Sequence, residues 1–156
     1  MKKLILFILL LAFISCEKEE SIKQYKIDLL NGNGSIYGSG TTGVRTFEAI
    51  STYKRFNKNN YHDCKSILFI GSLKANIDSK NYTNTDTCYL ELFNITDASI
   101  ITKSTICTNS AIPVWVESEN ILDYFPNKDI DLTVRIRNSK NGSVAGAYSA
   151  SLYINF

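Results

Sequence analysis

The sequence predicts an all-β fold in which two antiparallel sheets form a sandwich. Short apolar runs alternate with polar turns rich in Ser, Thr and Asn, and the chain holds 9 Tyr and 8 Phe but only 2 Pro. Such a composition suits strands and turns better than helices. Downstream of residue 24 the periodicity of the apolar residues is two, as in strands with one buried face, and no segment has the period of a helix.

The clearest strand covers residues 130–137, where four apolar residues alternate with four polar ones. This pattern predicts one buried and one solvated face. A polar turn over residues 138–142 leads into a long final strand, residues 144–156, which we expect to bend near Gly146. The two strands are predicted to form an antiparallel hairpin.

Six further segments are predicted strands by the same criteria: residues 25–30, 42–53, 66–77, 87–94, 99–107 and 112–117. In the third of these, the residues expected to face the core are Ile67, Phe69, Leu73 and Ala75. In the fourth, alternation places Cys88, Leu90 and Leu92 inside and Tyr89 and Phe93 on the opposite face. Burial of two such faces against each other, at about 25 cal/mol per Å², is the expected driving force for folding.

The amino terminus has the pattern of an export signal. Met1-Lys2-Lys3 is positively charged, and an unbroken apolar run of eleven residues, 4–14, follows it. This run has the length of a signal-peptide core, whereas a membrane-spanning helix needs about 20 apolar residues. We therefore predict an N-terminal signal helix in residues 1–15, a tether in residues 16–24 and a single β-sandwich domain in residues 25–156.

Residues 11–16, Leu-Ala-Phe-Ile-Ser-Cys, resemble the lipobox of bacterial lipoproteins, although Phe13 stands where Leu is usual. The resemblance implies that Cys16 is acylated after cleavage and that its lipid anchors the protein in the outer membrane of the cell envelope. Residues 17–20, Glu-Lys-Glu-Glu, resemble the surface-export signals of Bacteroidetes lipoproteins, which would place the domain on the cell surface. The alternative is a solvated, charged tether.

The charge balance argues against nucleic acid as a partner. The formal net charge of the chain is +2, and the leader contributes two lysines and no acid. Without the leader, 15 basic and 15 acidic residues remain. A neutral domain has no sequence-level sign of the basic surface that neutralises phosphates.

The second half resembles a jelly-roll-type β-sandwich module of secreted bacterial and phage proteins. The resemblance is carried by residues 89–101, by the Ser- and Thr-rich stretch 102–110 and by the final pair of strands. It implies a jelly-roll-like sandwich and a role in ligand or surface binding, and no catalytic residues accompany it. The turn at residues 94–97, Asn-Ile-Thr-Asp, is interpreted as structural, because Asn and Asp bond to nearby backbone. Ala98 stands where Gly is usual.

Three cysteines remain beyond Cys16, namely Cys64, Cys88 and Cys107. Outside the cytoplasm, an odd number indicates one disulfide and one free thiol. A Cys88–Cys107 bridge is favoured, because both residues lie in candidate neighbouring strands. A Cys64–Cys88 bridge and three reduced thiols are the alternatives.

No catalytic, metal or cofactor site is predicted. His62-Asp63-Cys64 is the only cluster that resembles metal ligands, and adjacent residues rarely converge on one ion. A nucleophilic Cys64–His62 pair would lack a third, orienting group. Nothing marks a catalytic pair among the carboxylates considered for glycoside hydrolysis, which are Glu48, Glu91, Glu117 and Glu119.

Trp115 is the one candidate ligand contact. Alternation within residues 114–116, Val-Trp-Val, puts its side chain on the face opposite the two valines, where an exposed Trp is able to stack on a sugar. The alternative is a core aromatic residue.

We therefore expect a membrane-anchored, non-catalytic lipoprotein that binds glycan or protein. The alternatives are a structural or accessory subunit of an envelope complex, recognised through a sheet edge, and a secreted hydrolase.

Overall fold

The structure, a computed structural model, describes residues 23–30, 36–39, 52–76, 86–141 and 143–156. Two short 3₁₀ helices lie in these ranges, at Lys58–Asn60 and Leu122–Tyr124. The strands of these ranges are β1 (Gln24–Leu30), β2 (Ile36–Ser39), β3 (Tyr53–Phe56), β4 (Ser66–Lys74), β5 (Cys88–Asn94), β6 (Ser99–Ile100), β7 (Ile106–Thr108), β8 (Val114–Glu117), β9 (Ile130–Asn138) and β10 (Val144–Asn155).

The strands form two antiparallel sheets. The first has the order β1-β10-β4-β8, with β2 also paired to β10, and the second has the order β3-β9-β5-β6, with β7 also paired to β5. The predicted all-β antiparallel sandwich is confirmed. The described residues contain no α-helix, and they contain no helix long and apolar enough to cross a bilayer. The predicted signal peptide, Cys16 and the tether up to residue 22 lie outside the described residues.

The core lies between the two sheets and is built from the inward faces of alternating strands. In β4, Ile67, Phe69 and Leu73 are fully buried, as predicted. Ala75, just after β4, is fully buried as well. The predicted inward residues of β5 are also fully buried: Cys88, Leu90 and Leu92. Period-two alternation therefore identified the core face of both strands correctly.

At Gly71, side chains of the second sheet lie close to the backbone of β4. A Cβ atom built on Gly71 would lie 2.9 Å from Leu90 Cδ2 and 3.2 Å from Ile106 Cδ1, both in the second sheet. It would also lie 3.1 Å from the carbonyl oxygen of Ser149 in β10, which is backbone and cannot rotate away. A larger residue at position 71 therefore requires Leu90 to move and the backbone of β10 to shift by a few tenths of an ångström.

We expect Gly71→Ala to lower the free energy of unfolding by about 1–3 kcal/mol, the usual cost of overpacking a core. Ser72→Ala is the matched control, because the Ser72 side chain points to the outer face of the same strand. A urea titration of both variants compares their free energies of unfolding. If Gly71→Ala and the wild type have equal free energies of unfolding, the close contacts at residue 71 do not oppose a larger side chain.

The predicted hairpin of the last two strands is wrong. β9 pairs with β5 and β3 in the second sheet, and β10 pairs with β1, β2 and β4 in the first. The polar connection after Asn138 thus crosses from one sheet to the other. Each strand has one apolar face, and these faces pack against each other across the core instead of lying side by side in one sheet.

Two other strand predictions also change in detail. The register of β10 against β4 shifts between Ala147 and Ser149, so the inward residues change phase there, two residues after the bend expected at Gly146. The predicted strand 99–107 is two strands, β6 and β7, because residues 101–105 turn between them. Most of the predicted strand 42–53 lies outside the described residues.

The turn after β5 is structural, as interpreted. Asn94 Nδ2 donates to Asp97 Oδ2 at 2.9 Å, and the backbone N–H of Asp97 donates to Asn94 Oδ1 at 3.1 Å. Thr96 Oγ1 accepts a hydrogen bond from the backbone N–H of Asp131 at 2.9 Å. Ala98 has a φ of 50°, in the left-handed region that glycine adopts most easily. A glycine would adopt this conformation without strain.

Candidate functional site

Trp115 is exposed on the outer face of the first sheet. Its side chain is 66% exposed, whereas Val116 packs against the core. β8 is the edge strand of the sheet, and Trp115 lies opposite Ser72 of β4. Because side chains alternate across a sheet, Trp115 and Ser72 share the face that points away from the core. Of the two positions considered for Trp115 from the sequence, the structure has the outward one and not the core one.

We call this outer surface the Trp115 face. Pairing of β8, β4, β10 and β1 brings polar and half-buried apolar side chains to the same side of the sheet. Its members are Gln24, Lys26, Asp28, Ser66, Leu68, Ile70, Ser72, Lys74, Trp115, Glu117, Ser149, Ser151, Tyr153 and Asn155. Leu68, Ile70 and Tyr153 are partly exposed in its middle. The face therefore offers aromatic rings, short aliphatic side chains and hydrogen-bonding groups together.

An ordered carboxylate lies on this face. Asp28 Oδ1 accepts hydrogen bonds from Ser151 Oγ at 2.7 Å and from Lys26 Nζ at 2.7 Å. The bond from Lys26, followed by the bond from Ser151, lowers the pKa of Asp28, and the same contact raises the pKa of Lys26. Asp28 is thus ionised at neutral pH, and its free lone pairs are available to accept hydrogen bonds from a ligand.

At one end of the Trp115 face, two side-chain amides and a serine hydroxyl are linked by hydrogen bonds. Gln24 Nε2 donates to Asn155 Oδ1 at 2.8 Å, and Asn155 Nδ2 donates to Ser66 Oγ at 2.8 Å. These three residues border a concavity of about 540 Å³ that Lys65 and Phe156 complete. We call Gln24, Asn155 and Ser66 the amide cluster.

A second concavity, of about 510 Å³, contains the predicted His62-Asp63-Cys64 cluster. His62 and Asp63 are exposed, and the Cys64 thiol donates to the carbonyl oxygen of Ser66 at 3.3 Å. Burial raises the pKa of Cys64, so its thiol is not activated as a nucleophile. Among the described residues, no group of three or more His, Cys, Asp or Glu side chains is placed to hold a metal ion.

The outer face of the second sheet contains a buried ion cluster instead of an open surface. Arg137 Nε donates to Glu91 Oε1 at 2.8 Å, and Arg135 Nη2 lies 3.4 Å from Glu91 Oε2. The guanidinium of Arg137 stacks 3.8 Å from the ring centroid of Tyr89, and that of Arg135 lies 4.8 Å from that of Phe93. The Glu91 side chain is only 3% exposed. Such a carboxylate is held by its neighbours and is not presented to a ligand.

The structure does not contain the expected Cys88–Cys107 disulfide. The two residues do lie on paired strands, but Cys88 is opposite Thr108 and Cys107 is opposite Tyr89. This offset of one residue turns the side chains to opposite faces, with Cys88 in the core and Cys107 exposed. Both residues are free thiols, as is Cys64.

We expect the three thiols to differ strongly in reactivity toward an aromatic disulfide reagent at pH 8. Burial is the main cause that raises the pKa of Cys88, to about 12, and its thiol donates to the carbonyl of Gly146 at 3.8 Å. Cys107 should react at once, Cys64 more slowly, and Cys88 only after denaturation. Detection of a single thiol in the denatured, unreduced protein would instead demonstrate a disulfide.

The sequence offered Trp115 as a candidate contact but did not indicate which residues surround it. The polar residues that share its face come from strands far apart in the chain, such as Asp28 in β1 and Ser151 in β10. The Glu91 cluster was missed for the same reason, since Arg135 lies opposite Glu91 only once the register of β5 and β9 is known. The alternation of charged and apolar residues in β9 was the only signal of this cluster.

No protein-family model and no curated protein matches the chain. Among solved structures, it is similar to infectious bursal disease virus VP2 in a subviral particle, with 10% identity and a TM-score of 0.47 over 88% of this chain and 33% of that one. It is also similar to the xylan-binding module CBM15, with 11% identity and a TM-score of 0.47 over 85% and 97% of the two chains. A third similarity is to Bacillus endospore appendages, described as disulfide-linked pili, with 10% identity and a TM-score of 0.34 over 86% and 88%. The chain thus spans about a third of the length of VP2.

Proposed function

We propose that this protein is a non-catalytic glycan-binding module and that the Trp115 face is its binding surface. The observation that carries the proposal is the position of Trp115, a large aromatic side chain that is 66% exposed on the open face of a sheet. Stable monomeric domains usually bury such a side chain, and exposed aromatic residues frequently mark binding surfaces.

The chemistry of the face suits a carbohydrate. The C–H groups of a sugar ring stack on an aromatic ring, whereas its hydroxyl groups need donors and acceptors at the rim. Trp115 and the half-buried Tyr153 provide rings, and Asp28 and the amide cluster provide hydrogen-bonding groups. A purely apolar protein partner would remove water from the remaining donors and acceptors of these groups without replacing its hydrogen bonds.

The charge on the face favours a neutral ligand. Lys26 and Asp28 form an ion pair at 2.7 Å, so their charges largely cancel. Glu117, next to Trp115 in β8, adds one negative charge, and Lys65 and Lys74, at opposite ends of β4, add one positive charge each. Among the described residues of this surface, the positive charges are thus spread out and not concentrated for a phosphate- or sulfate-rich ligand.

A glycan array followed by calorimetry tests the proposal. The purified protein should bind a subset of neutral glycans, and Trp115→Ala should weaken binding at least tenfold, since loss of about 1.4 kcal/mol of stacking energy corresponds to this factor. Tyr124→Ala is the matched control, because Tyr124 is an exposed aromatic residue in a 3₁₀ helix away from the face. It should bind like the wild type. Absence of binding to every neutral glycan, or equal binding by Trp115→Ala, would refute the proposal.

We further propose that acylation of Cys16 holds this module at the outer membrane, facing the cell surface. The support is the leader, with its two lysines, its apolar run of eleven residues and Ser15 before the cysteine. Mass spectrometry of the protein purified from membranes should find an acylated Cys16 at the amino terminus. Cys16→Ser should release the protein from the membrane fraction. A native amino terminus elsewhere would contradict the anchor.

A protein partner at the edge of the first sheet is the second candidate function. The two most exposed large hydrophobic side chains in the described residues are Ile112, 69% exposed, and Trp115, and both belong to β8 or the loop before it. An edge strand is a template for an added strand from a partner. Co-purification of one envelope protein that is lost in both Ile112→Ala and Trp115→Ala, without any glycan binding, would favour this function.

A further inference from the structure

The amide cluster is a hydrogen-bonded set of polar side chains that retains unused donors and acceptors. Gln24, Asn155 and Ser66 come from three neighbouring strands and are already linked by two hydrogen bonds of 2.8 Å. A carboxamide has two N–H donors and an oxygen with two lone pairs, so each amide has bonding capacity left for a ligand. Side chains that are fixed before binding lose little conformational entropy when a ligand arrives.

The amide cluster and Trp115 lie on the same face but far apart. Trp115 in β8 is opposite Ser72, and Asn155 in β10 is opposite Ser66, so the two residues are six residues apart along β4 and two strands apart across the sheet. With about 3.4 Å per residue and about 4.8 Å between strands, the two points are about 22 Å apart. A single sugar ring is too short to contact both points.

The surface between these two points is continuous. Ile70 and Leu68 follow Ser72 on the outer face of β4, and Tyr153 lies beside Leu68 in β10. All three are partly exposed, and Asp28 adjoins them through Ser151. The middle of the path is therefore apolar with the carboxylate of Asp28 beside it, and its two ends carry Trp115 and the amide cluster, so ring faces and hydroxyl groups of a sugar chain would both find partners along it.

We propose that the amide cluster is a second glycan contact and that the ligand is a linear oligosaccharide lying across the Trp115 face between the two. This inference rests on the proposed function. It specifies the ligand class, because a linear chain of several sugars bridges both contacts, whereas a terminal sugar or a disaccharide occupies only one of them.

The test is the dependence of affinity on chain length, measured by calorimetry with linear β-1,4-linked gluco-, xylo- and manno-oligosaccharides of two to six units. Wild-type affinity should rise with each added unit until the chain spans both contacts. Gln24→Ala should weaken binding of the longest ligand by about three- to tenfold, since a tenfold change corresponds to about 1.4 kcal/mol, the strength of one hydrogen bond. It should leave binding of the disaccharide unchanged, because the proposal places the disaccharide on Trp115, the stacking contact.

Asn127→Ala is the matched control, since Asn127 is an exposed amide in the connection before β9, outside the Trp115 face. It should behave like the wild type at every length. Affinity that no longer rises beyond the disaccharide, or a Gln24→Ala effect that is equal at all lengths, would overturn the inference while leaving the proposed function intact. If no oligosaccharide binds and the glycan array is also negative, both this inference and the proposed function are contradicted. Unchanged thermal melting of Gln24→Ala verifies that the variant is folded.

Discussion

Glu91→Ala is expected to destabilise the protein by about 3 kcal/mol, because it leaves two arginines without their shared carboxylate. Glu91 is 3% exposed, and its partners Arg135 and Arg137 are 24% and 28% exposed. The residual exposure of the arginines places the cost toward the low end of the range for breaking a buried ion pair. A loss of this size is a large fraction of the total stability of a small domain.

The matched control is Glu119→Ala, which removes an equally short ion pair, to Lys103 at 2.8 Å, from the solvent-exposed surface. Water screens the two charges, so such an exposed ion pair contributes little to the free energy of unfolding. Urea titrations of the two variants provide the comparison. If Glu91→Ala and Glu119→Ala have the same midpoint, the buried cluster does not stabilise the second sheet.

Phe56→Ala should have a comparable or larger effect, with a loss of about 3–5 kcal/mol. Phe56 is 1% exposed in β3, and its ring centroid lies 4.7 Å from that of Phe125, 5.7 Å from that of Tyr61 and 6.2 Å from that of Tyr53. Truncation would leave a cavity among three aromatic rings that belong to different segments of the chain.

Phe56→Leu is the informative companion, because it fills most of the space and should cost clearly less than the alanine variant. Urea titration gives both free energies of unfolding, and near-ultraviolet circular dichroism reports the packing of the aromatic rings. Equal losses for the two variants would indicate that ring stacking, and not filled volume, stabilises this end of the core. A loss below about 1 kcal/mol for Phe56→Ala would contradict the assigned packing.

The sequence identified strands and their buried faces, because alternation is a local property. β5 and β9 lie where they were predicted, and Leu90 and Leu92 are in the core. The turn after Asn94 was also interpreted correctly, since its hydrogen bonds connect residues close in sequence. These features need no knowledge of which strands are neighbours.

The sequence did not predict which strands pair, because a period of two shows which face of a strand is buried but not which strand lies beside it. The final strands were assigned to one hairpin, although β9 and β10 belong to different sheets. The Cys88–Cys107 bridge was predicted for strands that do pair, but a register offset of one residue separates the two thiols. The composition of the Trp115 face depends on long-range register in the same way.

The most direct test of the glycan-binding face uses the fluorescence of Trp115, the only tryptophan in the sequence. An exposed indole emits at long wavelength and is quenched readily by iodide in the free protein. Saturation with a glycan selected on the array should shift the emission to shorter wavelength and reduce quenching, because the sugar covers the ring. Glycan binding that leaves both the emission and the quenching of Trp115 unchanged would place the ligand elsewhere and contradict the assignment of this face.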